Sequence, residues 1–226
     1  MTRPNGAPLD EVRHEVLAAA KAMYAKGLVE GTAGNVSGRV DAERAVLTPS
    51  SLGYDEMTLD DLVVVDLDGN VVAGTRSATS EKGVHLATFA AYPEVGGVVH
   101  CHALHASMYA VAHRPIPAAI DEFVVYIGGD VPVGEYQPSG SDGLSAEVAK
   151  HLADRSAMLM ANHGMVTIGK SVADALHSAA VVEHNAKIMF GAQQLGGVVG
   201  LPHKTIRDFT GVYRYVREQT WNPDPA

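Results

Sequence analysis

The apolar positions Leu9, Val12, Val16, Met23 and Leu28 recur at helical spacing, with Pro8 and Asp10 at the front and Gly27 and Gly31 behind. They predict an amphipathic opening helix. The pattern then shortens its period. Asn35 to Val40 and Arg44 to Thr48 read as two short strands, and Leu62 to Asp66 with Val71-Val72 reads as a hairpin turning at Asp68-Gly69-Asn70. A helix follows near Glu81 to Ala91, closed by Tyr92-Pro93, then a strand from Gly97 to His102 and a helix from Leu104 to about Ala112. Val124-Val125-Tyr126 and Val131-Pro132-Val133 are predicted as short strands around Gly128-Gly129. A helix over Leu144 to Asp154 precedes the strands Met158 to Ala161 and Met165 to Ile168, which Gly169 ends. Two helices close the chain, near Val172 to Gln194 and Ile206 to Glu218. Strands interleaved with helices, without repeat or long linker, predict one α/β domain over residues 1–226 with a mixed sheet.

Composition narrows the function classes. The 226 residues are 46% hydrophobic and 19% charged, an ordinary globular balance rather than that of a disordered chain or coiled coil. Lysine and arginine number 17 against 26 acidic residues, a net charge of −9, the wrong sign for gripping nucleic acid by its phosphates. The apolar run from Leu62 to Val72 is broken by Asp66, Asp68 and Asn70, so no segment predicts a membrane span. The lone cysteine, Cys101, has no internal disulfide partner, and the opening residues lack the apolar stretch of a secretory signal; both fit a reducing cytoplasm.

Four places carry candidate chemistry. His100 and His102 sit two apart at the end of a β-branched run, where residues i and i+2 share a face about 6.6 Å apart. Two imidazoles so placed could converge on one metal, while Cys101 points the other way as a small buried hydrophobe. Alone, the pair is weak evidence, since surface and core histidines are common and the motif is short. Asn162-His163-Gly164 again sets a histidine at a strand end, with Gly164 expected to take a positive φ. Three neutral imidazoles would leave the full charge of a divalent ion free to polarise a substrate oxygen. Thr79-Ser80-Glu81 precedes a helix, so that Ser80 suits an N-cap and Glu81 the first turn; near a metal, Glu81 could also be a displaceable ligand and general base. His85, four residues on, shares that helix face and reads as a packing or supporting residue. Finally, Gly31 to Ser37 and Thr48-Pro49-Ser50-Ser51 are dense in small and hydroxyl residues, as in loops that offer donors to an anion. Neither G-x-G-x-x-G nor a P-loop is present, which argues against a nucleotide cofactor.

In this order, Gly31-Thr32-Ala33-Gly34-Asn35-Val36-Ser37, Thr48-Pro49-Ser50, Ser80-Glu81, Val98-Val99-His100-Cys101-His102-Ala103 and Asn162-His163-Gly164 resemble the class II aldolase/adducin family, over nearly the whole chain. The resemblance implies a three-layer α/β/α subunit around a mostly antiparallel sheet, assembled as a homotetramer with active sites between subunits. It implies that His100, His102 and His163 hold a divalent metal, commonly zinc, with Glu81 alternating between ligand and base. Asn35, Ser50, Ser51, Thr79 and Ser80 fall where the family binds substrate phosphate, and Asn35 also where it meets the enediolate. The implied reaction is retro-aldol cleavage of a phosphorylated ketose, such as L-fuculose 1-phosphate, to dihydroxyacetone phosphate and an aldehyde.

The chain also departs from the family's aldolase pattern. Ser50-Ser51 stands where that pattern has Thr-Gly, and Thr79-Ser80 where it has Ser-Ser. After Ile116-Pro117-Ala118 such aldolases carry a proton-donating tyrosine from a neighbouring subunit, whereas here the chain reads Ala119-Ile120-Asp121-Glu122-Phe123. Asp121 or Glu122 could replace it as the acid, with Asp121 the expected catalytic residue, as an aspartate serves in the related epimerases; ordinary solvated carboxylates are the other reading. A family tyrosine near the C-terminus corresponds to Tyr213 or Tyr215, either of which helical spacing would also allow in the core. The departures keep an epimerase, dehydratase or decarboxylase open on the same metal site. The complete set of three histidines argues against a non-catalytic adducin-like module.

Overall fold

The computed structural model describes residues 8–221. The opening helix α1 (Leu9–Ala25) leads into β1 (Asn35–Arg39), β2 (Arg44–Leu47), β3 (Val63–Asp66) and β4 (Val71–Ala73). Then come α2 (Lys82–Ala91), β5 (Gly97–Cys101), α3 (Leu104–Val111), α4 (Asp121–Ile127) and α5 (Asp142–Lys150). The chain closes with β6 (Ala157–Met160), β7 (Gly164–Gly169), α6 (Val172–Gln194) and α7 (His203–Thr220). The seven strands form one sheet in the order β4-β3-β2-β1-β5-β7-β6, with every neighbouring pair antiparallel. The mixed sheet expected from strand and helix alternation alone is thus replaced by the antiparallel one the family resemblance implied. Short connections join β1 to β2, β3 to β4 and β6 to β7, and the longer segment 48–62 joins β2 to β3, so no crossover helix is needed to bring these antiparallel neighbours together.

Both faces of the sheet are covered. Val36, Val46, Val64, Val99, Cys101 and Met165 pack on one side with Val12, Val16, Val172 and Ala179 of α1 and α6. Ala45, Leu47, Val63, Val98, Val166 and Ile168 pack on the other with Val84, Phe89, Leu144 and Val148 of α2 and α5. Three layers result, and the period-2 alternation of β5 decides where its polar residue points. Val99 and Cys101 belong to the α1/α6 side, so His100 shares the α2/α5 side with Val98.

Three local readings change. Val124-Val125-Tyr126 lies in α4 rather than in a strand, because Phe123, Val124 and Ile127 bury one helical face and Gly128, at φ +99°, ends the turn. Its β-branched pair is too short for its period to be read from sequence. Val131 and Val133 make only isolated bridges, to Ile116 and Leu159. Helix α2 begins one residue later than expected, so Glu81 occupies the N-cap position, and Ser80 is exposed and supplies no cap.

Candidate active site

Sheet register assembles the first part of the site. Asn35 of β1 stands directly opposite His100 of β5, and Ser37 lies two residues along on the same face as Asn35. Helix α2 crosses that face and lowers Glu81 and His85 onto it. Glu81 Oε2 lies 3.1 Å from His100 Nε2, and Glu81 Oε1 lies 3.3 Å from His163 Nε2. His102, just past β5, brings its Nε2 to 3.0 Å from that of His100. The three rings have centroids 4.8 to 4.9 Å apart and are steeply inclined to one another, with one nitrogen of each within 4.8 Å of the others.

His163 arrives through the tight turn between β6 and β7. The positive φ expected at Gly164 belongs to Asn162, at +57°. Glycine is required at 164 for another reason: a Cβ there would lie 2.6 Å from the Cys101 carbonyl oxygen and 2.9 Å from His102 Cδ2. Gly34 meets the same constraint from the other side, since its Cβ would fall 2.8 Å from the His100 carbonyl oxygen. Only residues without side chains let the backbone close around His100 and His102.

The ring orientations suit metal binding. His100 Nδ1 is 3.0 Å from the Met165 carbonyl oxygen, which can only accept, so the ring proton resides on Nδ1 and the Nε2 lone pair faces Glu81. A lone pair 3.1 Å from a carboxylate oxygen calls for positive charge between them, either a proton or a cation. Burial pushes the His102 imidazole down to about 4, aided by His100 and His163 and opposed by Glu81. His163 is lowered by burial and by His100. Burial would raise the Glu81 carboxyl, but with positive charge in place at His100, the hydrogen bond and charge there, a hydrogen bond from Ser139 and the charge of His163 hold it well below the usual carboxylate range. Neutral imidazoles beside an ionised carboxylate form the donor set a divalent cation requires.

Residues 14–190 match the Class II Aldolase and Adducin N-terminal domain. The chain belongs to the class II aldolase/adducin family. This family member is 34% identical over 198 residues, 82% of its own chain and 86% of the relative, to L-ribulose-5-phosphate 4-epimerase UlaF of Salmonella paratyphi C. Its structure resembles that of an L-fuculose 1-phosphate aldolase with TM-score 0.86 and 31% identity, covering 92% of this chain and 98% of the other. It also shares the fold of L-fuculose-1-phosphate aldolase from Thermus thermophilus, with TM-score 0.74 and 23% identity over 84% and 99% of the two chains.

The hydroxyl loops of this class II aldolase-family chain lie side by side. Ser50 N donates to Ser77 O at 3.0 Å, Thr79 N donates to Thr48 O at 3.1 Å, and Pro49 bridges Ala78. Ser50 and Ser51 hold their hydroxyls 3.3 Å apart, and Ser51 adopts φ +58°. Thr79 is buried and its hydroxyl accepts from Glu81 N at 3.3 Å, whereas Ser80 faces solvent. Asn35 is buried between Glu81 and His85. Asp121 and Glu122 are exposed in the first turn of α4, and among the described residues no hydrogen bond or ion pair joins them to the imidazoles. Tyr213 is a core residue bonded to Ser156 at 2.8 Å, and Tyr215 is exposed.

Ser139 is the neighbour that sequence reasoning missed. Its hydroxyl donates to Glu81 Oε1 at 2.8 Å from the loop before α5. A serine in Gln137-Pro138-Ser139-Gly140 reads as turn composition, and no periodicity marks it out.

Proposed function

We propose that this protein is a metal-dependent lyase that cleaves a phosphorylated short-chain ketose, such as L-fuculose 1-phosphate, into dihydroxyacetone phosphate and an aldehyde. The observation that carries the reading is the convergence of three imidazole nitrogens with both oxygens of Glu81. His100, His102 and His163 are the residues that would hold the ion, with Zn²⁺ fitting the nitrogen-rich donor set, and Glu81 would complete it when no substrate is bound. A divalent ion there supplies a Lewis acid for the carbonyl and adjacent hydroxyl oxygens of the sugar. In the synthetic direction Glu81, ionised and beside the cluster, takes the proton from the triose carbon next to the carbonyl; in cleavage it returns that proton to the enediolate carbon, and the proton of the hydroxyl that becomes the aldehyde passes to Asp121. Asn35 donates toward the charge that develops on the triose half. Ser50, Ser51, Thr79 and Ser80 offer hydroxyl and backbone donors to the phosphate. Asp121 serves as the acid for the aldehyde oxygen, contributed by a neighbouring copy in a homotetramer, a placement consistent with its exposed position on α4. The single buried cysteine suits a reducing cytoplasm.

A second reading has a specific observation behind it. The 34% identity to a ribulose-phosphate epimerase and the acidic pair at 121–122 both fit a reaction that breaks a carbon–carbon bond and remakes it with one centre inverted. The two readings differ in product. Metal-loaded protein given L-fuculose 1-phosphate is expected to release dihydroxyacetone phosphate, detectable by coupled reduction. Conversion of L-ribulose 5-phosphate to its 4-epimer without triose release would select the epimerase. Asp121→Asn is expected to lower turnover in either case while metal content stays unchanged.

A further inference from the structure

His85 has no exposed surface, and its two ring nitrogens have separate polar partners. Nε2 lies 2.5 Å from Asn35 Oδ1, and Nδ1 lies 2.6 Å from Ser37 Oγ. Asn35 Nδ2 donates in turn to Glu81 Oε2 at 3.1 Å. An amide oxygen only accepts, so His85 Nε2 carries the hydrogen in its bond to Asn35, and a neutral ring then has a lone pair on Nδ1. Ser37 must therefore donate to Nδ1. Each member of the chain has one arrangement, running as donors from Ser37 through His85 and Asn35 to the carboxylate.

We propose that His85, pinned by Ser37, is a positioning residue that sets the orientation of Asn35 and through it of Glu81. Were the His85 proton to move to Nδ1, Asn35 would have to turn its amide over and present oxygen to the Glu81 carboxylate, an unfavourable contact between two acceptors. The chain holds Glu81 Oε2 beside His100 while leaving Oε1 to Ser139 and His163. Ser37 ends the chain in the core with no exposed surface, which makes the chain an orienting device rather than a route for protons to solvent. Register and helix phase build it: residues 35 and 37 share a β1 face, and residues 81 and 85 share a side of α2.

The inference rests on the proposed role of Glu81, and its test separates the two. His85→Leu, His85→Gln, Ser37→Ala and Glu81→Gln are compared with the parent protein by thermal unfolding, by titration with Co²⁺ followed through its visible absorption, and by steady-state kinetics on the ketose phosphate. His85→Leu is expected to lower kcat about 10- to 100-fold, the usual cost of losing support behind a metal-site group. KM should change less than kcat, because the hydroxyl donors Ser50, Ser51 and Thr79 do not touch His85 and Asn35 acts on charge that develops during the reaction. The Co²⁺ band should change in intensity, because Glu81 approaches the ion differently. His85→Gln, whose amide N–H can replace Nε2–H toward Asn35, is expected to recover much of both. Ser37→Ala frees the tautomer without emptying the core and should give the same spectral change at smaller amplitude, so the proposal remains testable if the leucine variant does not fold. An unchanged Co²⁺ spectrum in both His85→Leu and Ser37→Ala overturns the proposal, as does equal loss in the leucine and glutamine variants. If Glu81→Gln leaves turnover intact, it is the functional reading that fails; the Co²⁺ comparison still decides the positioning role.

Discussion

Ser51 concentrates the tension between stability and function at the residue level. A non-glycine residue at φ +58° carries local strain of about 1 kcal/mol or more, and Ser51 holds its hydroxyl beside that of Ser50. Ser51→Gly is expected to raise stability by up to about 1 kcal/mol, once the greater freedom of glycine in the unfolded chain is set against the relief. It should also raise KM for the phosphorylated substrate with kcat little changed; urea unfolding and kinetics on one preparation test both halves. The buried histidines predict a pH response of the metal-free protein. Burial, with the charge of His100 adding to it and that of Glu81 opposing, holds His85 near 3, against about 6.5 in an unfolded chain. Between those values the unfolded state binds more protons, so stability falls as pH falls, by up to about 1.4 kcal/mol per pH unit from this group. His102 and His163 push the same way, and Glu81, lowered in the fold, adds to the loss once pH drops below its ordinary value. Urea midpoints measured from pH 7 to 5 should decline steadily; a flat profile would show that these rings are protonated in the folded protein.

Helix ends and turns place the site at the level of the element. Helix α3 starts two residues after His102, and its first N–H groups are met from across the fold by Glu183 of α6. That carboxylate accepts from His105 N at 3.0 and 3.1 Å, from Ala106 N at 3.0 Å and from His105 Nδ1 at 2.7 Å. It acts as an N-cap supplied by a distant residue, favoured by the helix dipole. Glu183→Ala is expected to cost about 1 to 2 kcal/mol and to weaken Co²⁺ binding through His102; loss of stability with unaltered metal affinity would limit its role to the helix. The C-terminal end of α3 has a related feature. His113 adopts φ +51° where glycine is usual, and its Nε2 donates to Asn162 Oδ1 at 2.6 Å beside His163. None of these links is visible in the pattern of apolar positions, because each joins residues that are far apart in sequence. The helices themselves were legible, as the close agreement of α6 with Val172 to Gln194 illustrates.

Across the whole molecule, metal binding and folding should be coupled, since the imidazoles come from two separated strand ends and the carboxylate from a helix start. Adding Zn²⁺ to chelator-treated protein is expected to raise the unfolding midpoint, by the equivalent of about 2.7 kcal/mol at a hundredfold excess over the dissociation constant. His163→Ala should abolish most of that gain. The same scale holds the proposed assembly: sedimentation is expected to show a species larger than the 23.8 kDa chain, and a fully active monomer would exclude an acid shared between copies. Ordered motifs in the sequence pointed to the family, and through that resemblance to the layered fold and the converging groups, while the elements themselves were legible because strand period and helix phase are local properties. The strand order and register, the helical state of residues 124–126, the glycines demanded by close backbone approach, and the partners Ser139, Ser37 and Glu183 were decided only by tertiary structure. They depend on which distant segments share the few ångströms around His100, a distance that no local pattern encodes.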